Sequence, residues 1–181
     1  MKIYLDSTVI LNFIKPYKDN HQIHRHLITF VENRKKNQET VITTTYIYEE
    51  EIKYPEEAKE EVFLFVEKEE VPFDFYSEEP PPNIDLGEWS IWQCAKKKLE
   101  NSERCCVLSD DSHAREFFSN KELLPCRYIN PPKEGVGGTM GILIHLKEEQ
   151  IISEDEYNQL INTMKKYGAR LPVKKTNQSN E

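Results

Sequence analysis

The N-terminal stretch MKIYLDSTVILNFI, residues 1–14, sets a short apolar run, Ile3-Tyr4-Leu5, directly against Asp6-Ser7-Thr8, after which Val9, Ile10, Leu11, Phe13 and Ile14 resume. A buried strand that stops at an acid and passes at once into an apolar helix places that carboxylate at the strand's C-terminal end. In open α/β sheets that edge is where ligands bind. Helix capping alone would explain an Asp at this point, but Ser7 and Thr8 already supply capping side chains. One acid after one strand is a weak signal. Its meaning depends on whether other acids arrive at the same edge.

The pattern returns further along the chain. CCVL, residues 105–108, is fully apolar and ends in Ser109-Asp110-Asp111, and the helix that follows carries Ala114, Phe117 and Phe118 on one face. Between these two units, Ile23, Leu27, Phe30 and Val31 space residues 21–36 as an amphipathic helix. Its His21, His24 and His26 read as solvated helix-face side chains. TVIT, residues 40–43, reads as a second strand with Thr44-Thr45 as caps. YIYEEEI, residues 46–52, then opens a helix expected to run through the charged stretch 56–69, kinked or broken at Pro55. VPFDFY, residues 71–76, alternates like a strand that Pro72 pushes to an edge, and SEEPPPN, residues 77–83, forms a stiff connector.

Asp85 is placed to cap the next helix, whose buried side is marked by Trp89, Ile91, Trp92, Ala95 and Leu99, with Glu88 in its first turn. CRYI, residues 126–129, is the last strand expected. The Gly-rich loop 133–139 lacks phosphate-loop spacing and leads into a helix over 140–149. Ser153-x-x-Glu156 is a capping box for a final helix, which Gly168 stops from the C′ position. Strands and helices alternate throughout. The expectation is one α/β domain over residues 1–170, with a central parallel sheet of about five strands, helices on both faces, and a frayed tail over 171–181.

Composition narrows the function classes. A chain of 181 residues suits one domain with a substantial core. Asp and Glu number 32 against 24 Lys and Arg, a formal charge of −8, which argues against nucleic-acid binding through a broad basic face. It leaves room for an enzyme whose acids are neutralised by metal. No apolar run approaches the ~20 residues of a membrane span, and the N-terminus does not resemble a signal peptide. Cys94, Cys105, Cys106 and Cys126 form no C-x-x-C pair and read as buried free thiols of a reducing, cytoplasmic compartment.

In a parallel sheet all strand C-termini share one edge. Asp6 and Asp110-Asp111 reach that edge from two strands, one of Glu49, Glu50 and Glu51 from the helix after a third, and Glu88 from a helix start. Clustered, desolvated acids must protonate or bind cations. Oxygen ligands without His or Cys favour magnesium or manganese over zinc. Such a pocket suits metal-assisted phosphodiester hydrolysis.

These motifs support a named resemblance. MKIYLDSTVIL resembles the opening motif of the PIN-domain family of metal-dependent ribonucleases, in which a strand ends in Asp followed by Ser or Thr. TTYIYEEEI is similar to the second motif: counting strictly from the strand selects Glu49, and aligning its aliphatic position on Ile47 selects Glu50, which leaves Glu51-Ile52 in the polar-then-apolar order of the family and is preferred. LGEWSIWQCA resembles the Gly-Glu helix start, at Glu88, and VLSDDSHAR the last motif, with Ser109, Asp110 and Asp111. Residues 136–170 are similar to the C-terminal helical extension of a toxin-like, VapC-type subfamily. The acidic, Pro-rich stretch 53–84 departs from the family pattern.

The resemblance implies a PIN-like three-layer fold and a magnesium- or manganese-dependent endoribonuclease. Asp6, Glu50, Glu88 and Asp111 would be catalytic and hold the metal with Asp110, Ser7 and Ser109 would support the carboxylates, and Arg115 would contact substrate phosphate. For toxin members it further implies a structured RNA target, a small antitoxin protein as inhibitor and a homodimer. A haloacid-dehalogenase-type phosphatase would need Asp-x-Asp-x-Thr where Asp6-Ser7-Thr8 stands, and a receiver domain would need paired acids after the first strand. The remaining alternative is a catalytically weak PIN-like fold that serves as a nucleic-acid- or protein-binding module.

Overall fold

The computed structural model describes residues 1–53, 55–121, 123, 137–169 and 171. Strand β1 (Lys2–Leu5) is central because Ile3, Tyr4 and Leu5 are fully buried, as both faces of a parallel sheet require. It pairs in parallel with β2 (Thr40–Thr44) on one side and with β4 (Cys105–Leu108) on the other. β3 (Glu67–Glu69) adds to β2, giving a four-stranded sheet of order β3-β2-β1-β4.

The chain thus steps outward from β1 to β3, then returns past β1 to form β4. Right-handed crossovers put α1 (Ser7–Ile14), α2 (Ile23–Lys36) and α3 (Glu56–Val62) on one face. They put α4 (Leu86–Glu100), the return crossover, on the other. Packing agrees: α1 meets α2 and α2 meets α3, whereas α4 lies against β2 and β4. α5 (Ser112–Ser119) follows β4, and α6 (Thr139–Glu148) and α7 (Glu154–Lys166) extend the α2 layer. The result is an α/β sheet flanked by helices, as the alternation predicts. Its strand order reverses between β1 and β4, the position at which such sheets open a ligand crevice.

Local signals account for most element ends. Asp85 and Glu88 complete a reciprocal capping box at α4. Ser153 accepts from the Glu156 N–H at the start of α7, and Gly168 follows the helix at φ +87°, where a side chain would be strained. Asp6 itself occupies the N-cap position of α1, a place the sequence reading gave to Ser7 and Thr8.

Other expectations are corrected. The helix expected through 56–69 ends at Val62, and β3 follows at Glu67–Glu69. No strand forms over 71–76, where a 3-10 turn at Phe75–Ser77 stands instead. Both errors have one cause: the edge strand is a three-residue Glu-Lys-Glu, charged as an exposed edge should be and lacking any apolar signal. The sheet has four strands among the described residues, rather than about five. CRYI at 126–129, Cys126 and the tail beyond residue 171 lie outside the described residues. His24 is buried rather than solvated, with its Nε2 2.7 Å from Glu61 Oε2. Cys94, Cys105 and Cys106 are buried free thiols.

Candidate active site

The site is built where β1 and β4 end side by side. The Asp6 N–H donates to the Leu108 carbonyl at 3.0 Å, carrying the pairing one residue beyond the strands. The Asp6 carboxylate is 2% exposed. Its Oδ1 accepts from the Ser7 N–H at 2.8 Å. Its Oδ2 accepts from the Thr8 and Ser109 hydroxyls, both at 2.6 Å. Ser109 Oγ in turn accepts from the Asp111 N–H, and Thr8 Oγ1 from the Asp110 N–H. One carboxylate therefore locks two strand ends together. Ser109 performs the supporting role expected of it; Thr8, read only as a cap, performs the same role. Burial pushes the Asp6 carboxyl up to about 6 against the hydroxyl bonds that favour its charge, and Asp85 adds repulsion.

The second acid arrives from the β2 side. After Thr44 the chain enters a wide turn, Ile47–Glu51, closed by the Ile52 N–H donating to the Ile47 carbonyl at 3.1 Å, five residues back. This is π-helical geometry, which recurs at functional sites. Ile47 and Ile52 point into the core, Glu49 and Glu50 point to solvent, and Glu51 turns inward. The acid of this turn that faces inward is Glu51, where the resemblance had selected Glu50. Counting from the strand stops at Glu49 and the motif alignment at Glu50, and the wider π turn carries the inward position on to Glu51.

Glu51 lies against α4. A Cβ on Gly87 would sit 2.0 Å from Glu51 Oε1, so only glycine leaves the carboxylate its place. Thr44 fixes this arrangement: its Oγ1 accepts from the Ile47 N–H and lies 2.6 Å from Ser90 Oγ, which donates to the Gly87 carbonyl. Burial drives the Glu51 carboxyl up to about 7, and Asp85 and Asp6 add to the rise. Bonds from the Ser7 hydroxyl and the Gly87 N–H partly oppose it. Ser7 thus supports Glu51 through its side chain and Asp6 through its backbone.

Glu88, 4% exposed, is pushed up to about 8 by burial and then by Asp85, Asp6 and Asp111. Asp6, Glu51, Glu88, Asp85 and Asp111 thus form one electrostatically coupled group. Asp85 is its addition to the acids expected from sequence. As an ordinary N-cap it carried no signal beyond its place beside Glu88.

The adjacent acids on β4 divide their work. Asp111 caps α5, its Oδ1 accepting from the His113 and Ala114 N–H groups at 2.7 and 3.1 Å, with its side chain 35% exposed. Asp110 faces the other way. Its carboxylate accepts from the Thr139 hydroxyl and N–H at the start of α6, and from Asn12 Nδ2 at 2.9 Å. Arg115 Nη2 stands 3.4 Å from its Oδ1. Asp110 thereby docks the start of α6, whose N-terminal N–H groups favour a negative charge. Arg115, its side chain 37% exposed, donates its Nε to the Ser109 carbonyl at 2.9 Å and so braces the strand end.

The oxygen-only donor set and the raised pKa values of Asp6, Glu51 and Glu88 fit a hard divalent cation, which would relieve the repulsion among them. Among the described residues no three His, Cys, Asp or Glu side chains already stand in a metal-ligating arrangement.

A family model described as a PIN domain (DUF3368) matches residues 27–179. The chain belongs to the PIN-domain family, and its fold is of the nuclease type. The match begins within α2, so Asp6, Ser7 and Thr8 precede it. No curated protein and no solved structure matches the chain significantly. Among the described residues no helix is long and apolar enough to cross a membrane.

Proposed function

We propose that the protein is a magnesium- or manganese-dependent endoribonuclease, with Asp6, Glu51, Glu88 and Asp111 holding the metal. The observation that carries this reading is the group of buried, mutually repelling carboxylates at the β1/β4 reversal of the sheet. When bound, the cation supplies charge neutralisation and an acidified water for attack on the phosphodiester. The protein's own residues do the positioning. Ser109 and Thr8 fix the Asp6 oxygens, Gly87 leaves room for Glu51, and the capping box holds Glu88 at the helix entrance. Burial and the neighbouring acids push the Glu88 carboxyl up to about 8, a rise that a bound cation would reverse.

The test is cleavage of a cellular RNA pool by wild type, Asp6→Asn, Glu51→Gln and Glu50→Gln, in manganese and in EDTA. Discrete fragments that need metal, Asp6 and Glu51 but not Glu50 are expected. Equal behaviour of wild type and Asp6→Asn under all conditions would sink the reading. We extend it to a toxin inhibited by a small antitoxin protein, an assignment that rests on the resemblance of the C-terminal helices. Induced expression of wild type, but not Asp6→Asn, should then arrest growth.

A further inference from the structure

The four-stranded sheet ends on one side at β3, and among the described residues nothing pairs with the outer side of that strand. Backbone N–H and C=O groups left without partners along one side of a strand are a template for a further strand. The chain around this edge is apolar where a surface is ordinarily polar. Of the six large apolar side chains that stand exposed among the described residues, four fall within 64–76: Leu64 and Phe65 just before β3, and Phe73 and Tyr76 shortly after it. Leu64 is 81% exposed and Phe73 fully so. We propose that β3 takes up an extended, basic segment of a partner protein as an added strand, with the segment's apolar side chains against Leu64, Phe65, Phe73 and Tyr76. Such a partner would bind whether or not the acid group cleaves RNA.

Charge selects the occupant. Residues 49–70 hold ten Glu against three Lys, so this stretch carries nearly all of the chain's formal −8. The lysines near the edge are already engaged. Lys59 and Lys68 place their Nζ atoms 4.2 and 4.1 Å from the centre of the Tyr48 ring. Lys98 reaches across from α4 to Glu69 at 3.1 Å, and Glu69 also accepts from the Tyr4 hydroxyl. Glu67, exposed on the strand itself, has no such partner among the described residues. Beside the strand, a groove of about 500 Å³ is floored by Tyr48, Phe63 and Leu64, and its three carboxylates, Glu57, Glu60 and Glu61, are set against one lysine, Lys68. A segment that is both basic and apolar complements this surface on both counts.

A second copy of this chain is a poor occupant. A two-fold axis through the strand would pair β3 with itself antiparallel, setting Glu67 against Glu69 and Lys68 against Lys68. Like charges directly opposite one another destabilise a strand pair. The charge that keeps the edge from its own kind therefore admits a strand of opposite sign. In strand addition the main-chain bonds supply affinity, and the alternate side chains supply specificity.

The probe is a fluorescein-labelled peptide of four Val-Lys repeats. It is compared with four Val-Glu repeats and with two N-methylated forms of the Val-Lys peptide, one methylated on every Val and one on every Lys. Each form keeps charge and side chains but loses the backbone donors of one strand edge. Anisotropy is read in EDTA at about 150 mM salt, where long-range attraction is screened. The proteins are wild type, Leu64→Ser/Phe73→Ser, Glu67→Lys and, as a control at an exposed apolar side chain between α6 and α7, Ile151→Ser. Hydrogen exchange locates the contact, light scattering gives the mass, and thermal melts check that each variant is folded.

The Val-Lys peptide should bind wild type about tenfold or more tightly than Val-Glu, and one of the two N-methylated forms should lose about tenfold with its backbone bonds. Amides within 67–69 should exchange more slowly in the complex. Leu64→Ser/Phe73→Ser and Glu67→Lys should each weaken binding severalfold, and Ile151→Ser should not. If both N-methylated forms bind like the parent peptide, the attraction is charge alone and strand addition is overturned. Absence of binding, or binding that neither edge variant moves, overturns it as well. A wild-type dimer that Leu64→Ser/Phe73→Ser returns to monomer would put a second copy on the edge and also overturn it. Metal- and Asp6-dependent cleavage by the same preparations is read separately, so either result stands without the other.

Discussion

Replacing Glu51 by Gln removes a charge that the fold disfavours, so the metal-free protein should become more stable, and only at high enough pH. The Glu51 carboxyl rises from its ordinary 4.5 to about 7, with burial the first cause and Asp85 and Asp6 next. Between those values the folded state keeps a proton that the unfolded chain has lost, so wild-type stability falls as pH rises through the window and levels off above 7. At 1.36 kcal/mol per pKa unit the full shift corresponds to about 3 kcal/mol. Glu51 is only partly buried, and solvent screening reduces this to about 1–2 kcal/mol. For a chain of this size that is a rise in Tm of about 2–8 °C at pH 8.

Near pH 4.5 the Gln variant should melt like wild type, because Glu51 is then protonated in the fold. Glu50→Gln should match wild type at both pH values, since Glu50 faces solvent. Thermal melts in EDTA across this range decide the matter. A pH-dependent gain from Glu50→Gln instead of Glu51→Gln would refute the inward placement of Glu51. Added manganese should then raise the Tm of wild type above that of Glu51→Gln, because only wild type offers the full acid set to a cation.

Three further substitutions test the architecture around these acids. Gly87→Ala puts a methyl where Glu51 Oε1 lies, so manganese stabilisation should vanish although Ala favours the helix by about 1 kcal/mol; melts with and without the ion measure both effects. Asp110→Ala strands the Thr139 hydroxyl and N–H and the Asn12 amide, and should cost about 2–4 kcal/mol in a urea titration, with Asp110→Asn recovering part of it. Arg115→Lys cannot reproduce both the bond to the Ser109 carbonyl and the approach to Asp110, so it should lower stability by about 1 kcal/mol while leaving RNA affinity unchanged. A loss of RNA affinity without a loss of stability would return Arg115 to the substrate.

The parts of the fold that announce themselves in sequence are those whose environment is uniform. β1, β2 and β4 are buried on both faces, so each shows as an unbroken apolar or β-branched run. β3 has no such run because it is a charged edge, and its pairing to β2 is fixed by backbone bonds that any side chain permits. Its Glu69 earns its position through distant partners, the Tyr4 hydroxyl at 2.8 Å and Lys98 at 3.1 Å, which local reading does not connect. In the site, Asp6 and Glu88 were legible from strand and helix ends alone. Glu51 was not, because the wide turn at Ile47–Glu51 depends on Thr44 and its contact with Ser90 on α4.

Asp110 and Asp111 show how far such reasoning reaches. Side by side in sequence, they are equivalent acids after a buried strand, and an extended backbone sends their side chains to opposite sides. Which one serves the fold is decided by Thr139, 29 residues from Asp110, whose helix start needs an anion. That choice has an energetic logic. Burial pushes the Asp110 carboxyl up, and its bonds from Thr139 and Asn12 and the charge of Arg115 oppose that rise. Asp6, Glu51 and Glu88 have only neutral hydrogen-bond donors to set against burial and neighbouring acids, a cost borne in every metal-free molecule. The fold therefore gives the acid that docks α6 a cationic partner in Arg115 and gives the acids at the β1/β4 reversal none. Exchanging these conditions would give a more stable protein with no reason to bind an ion.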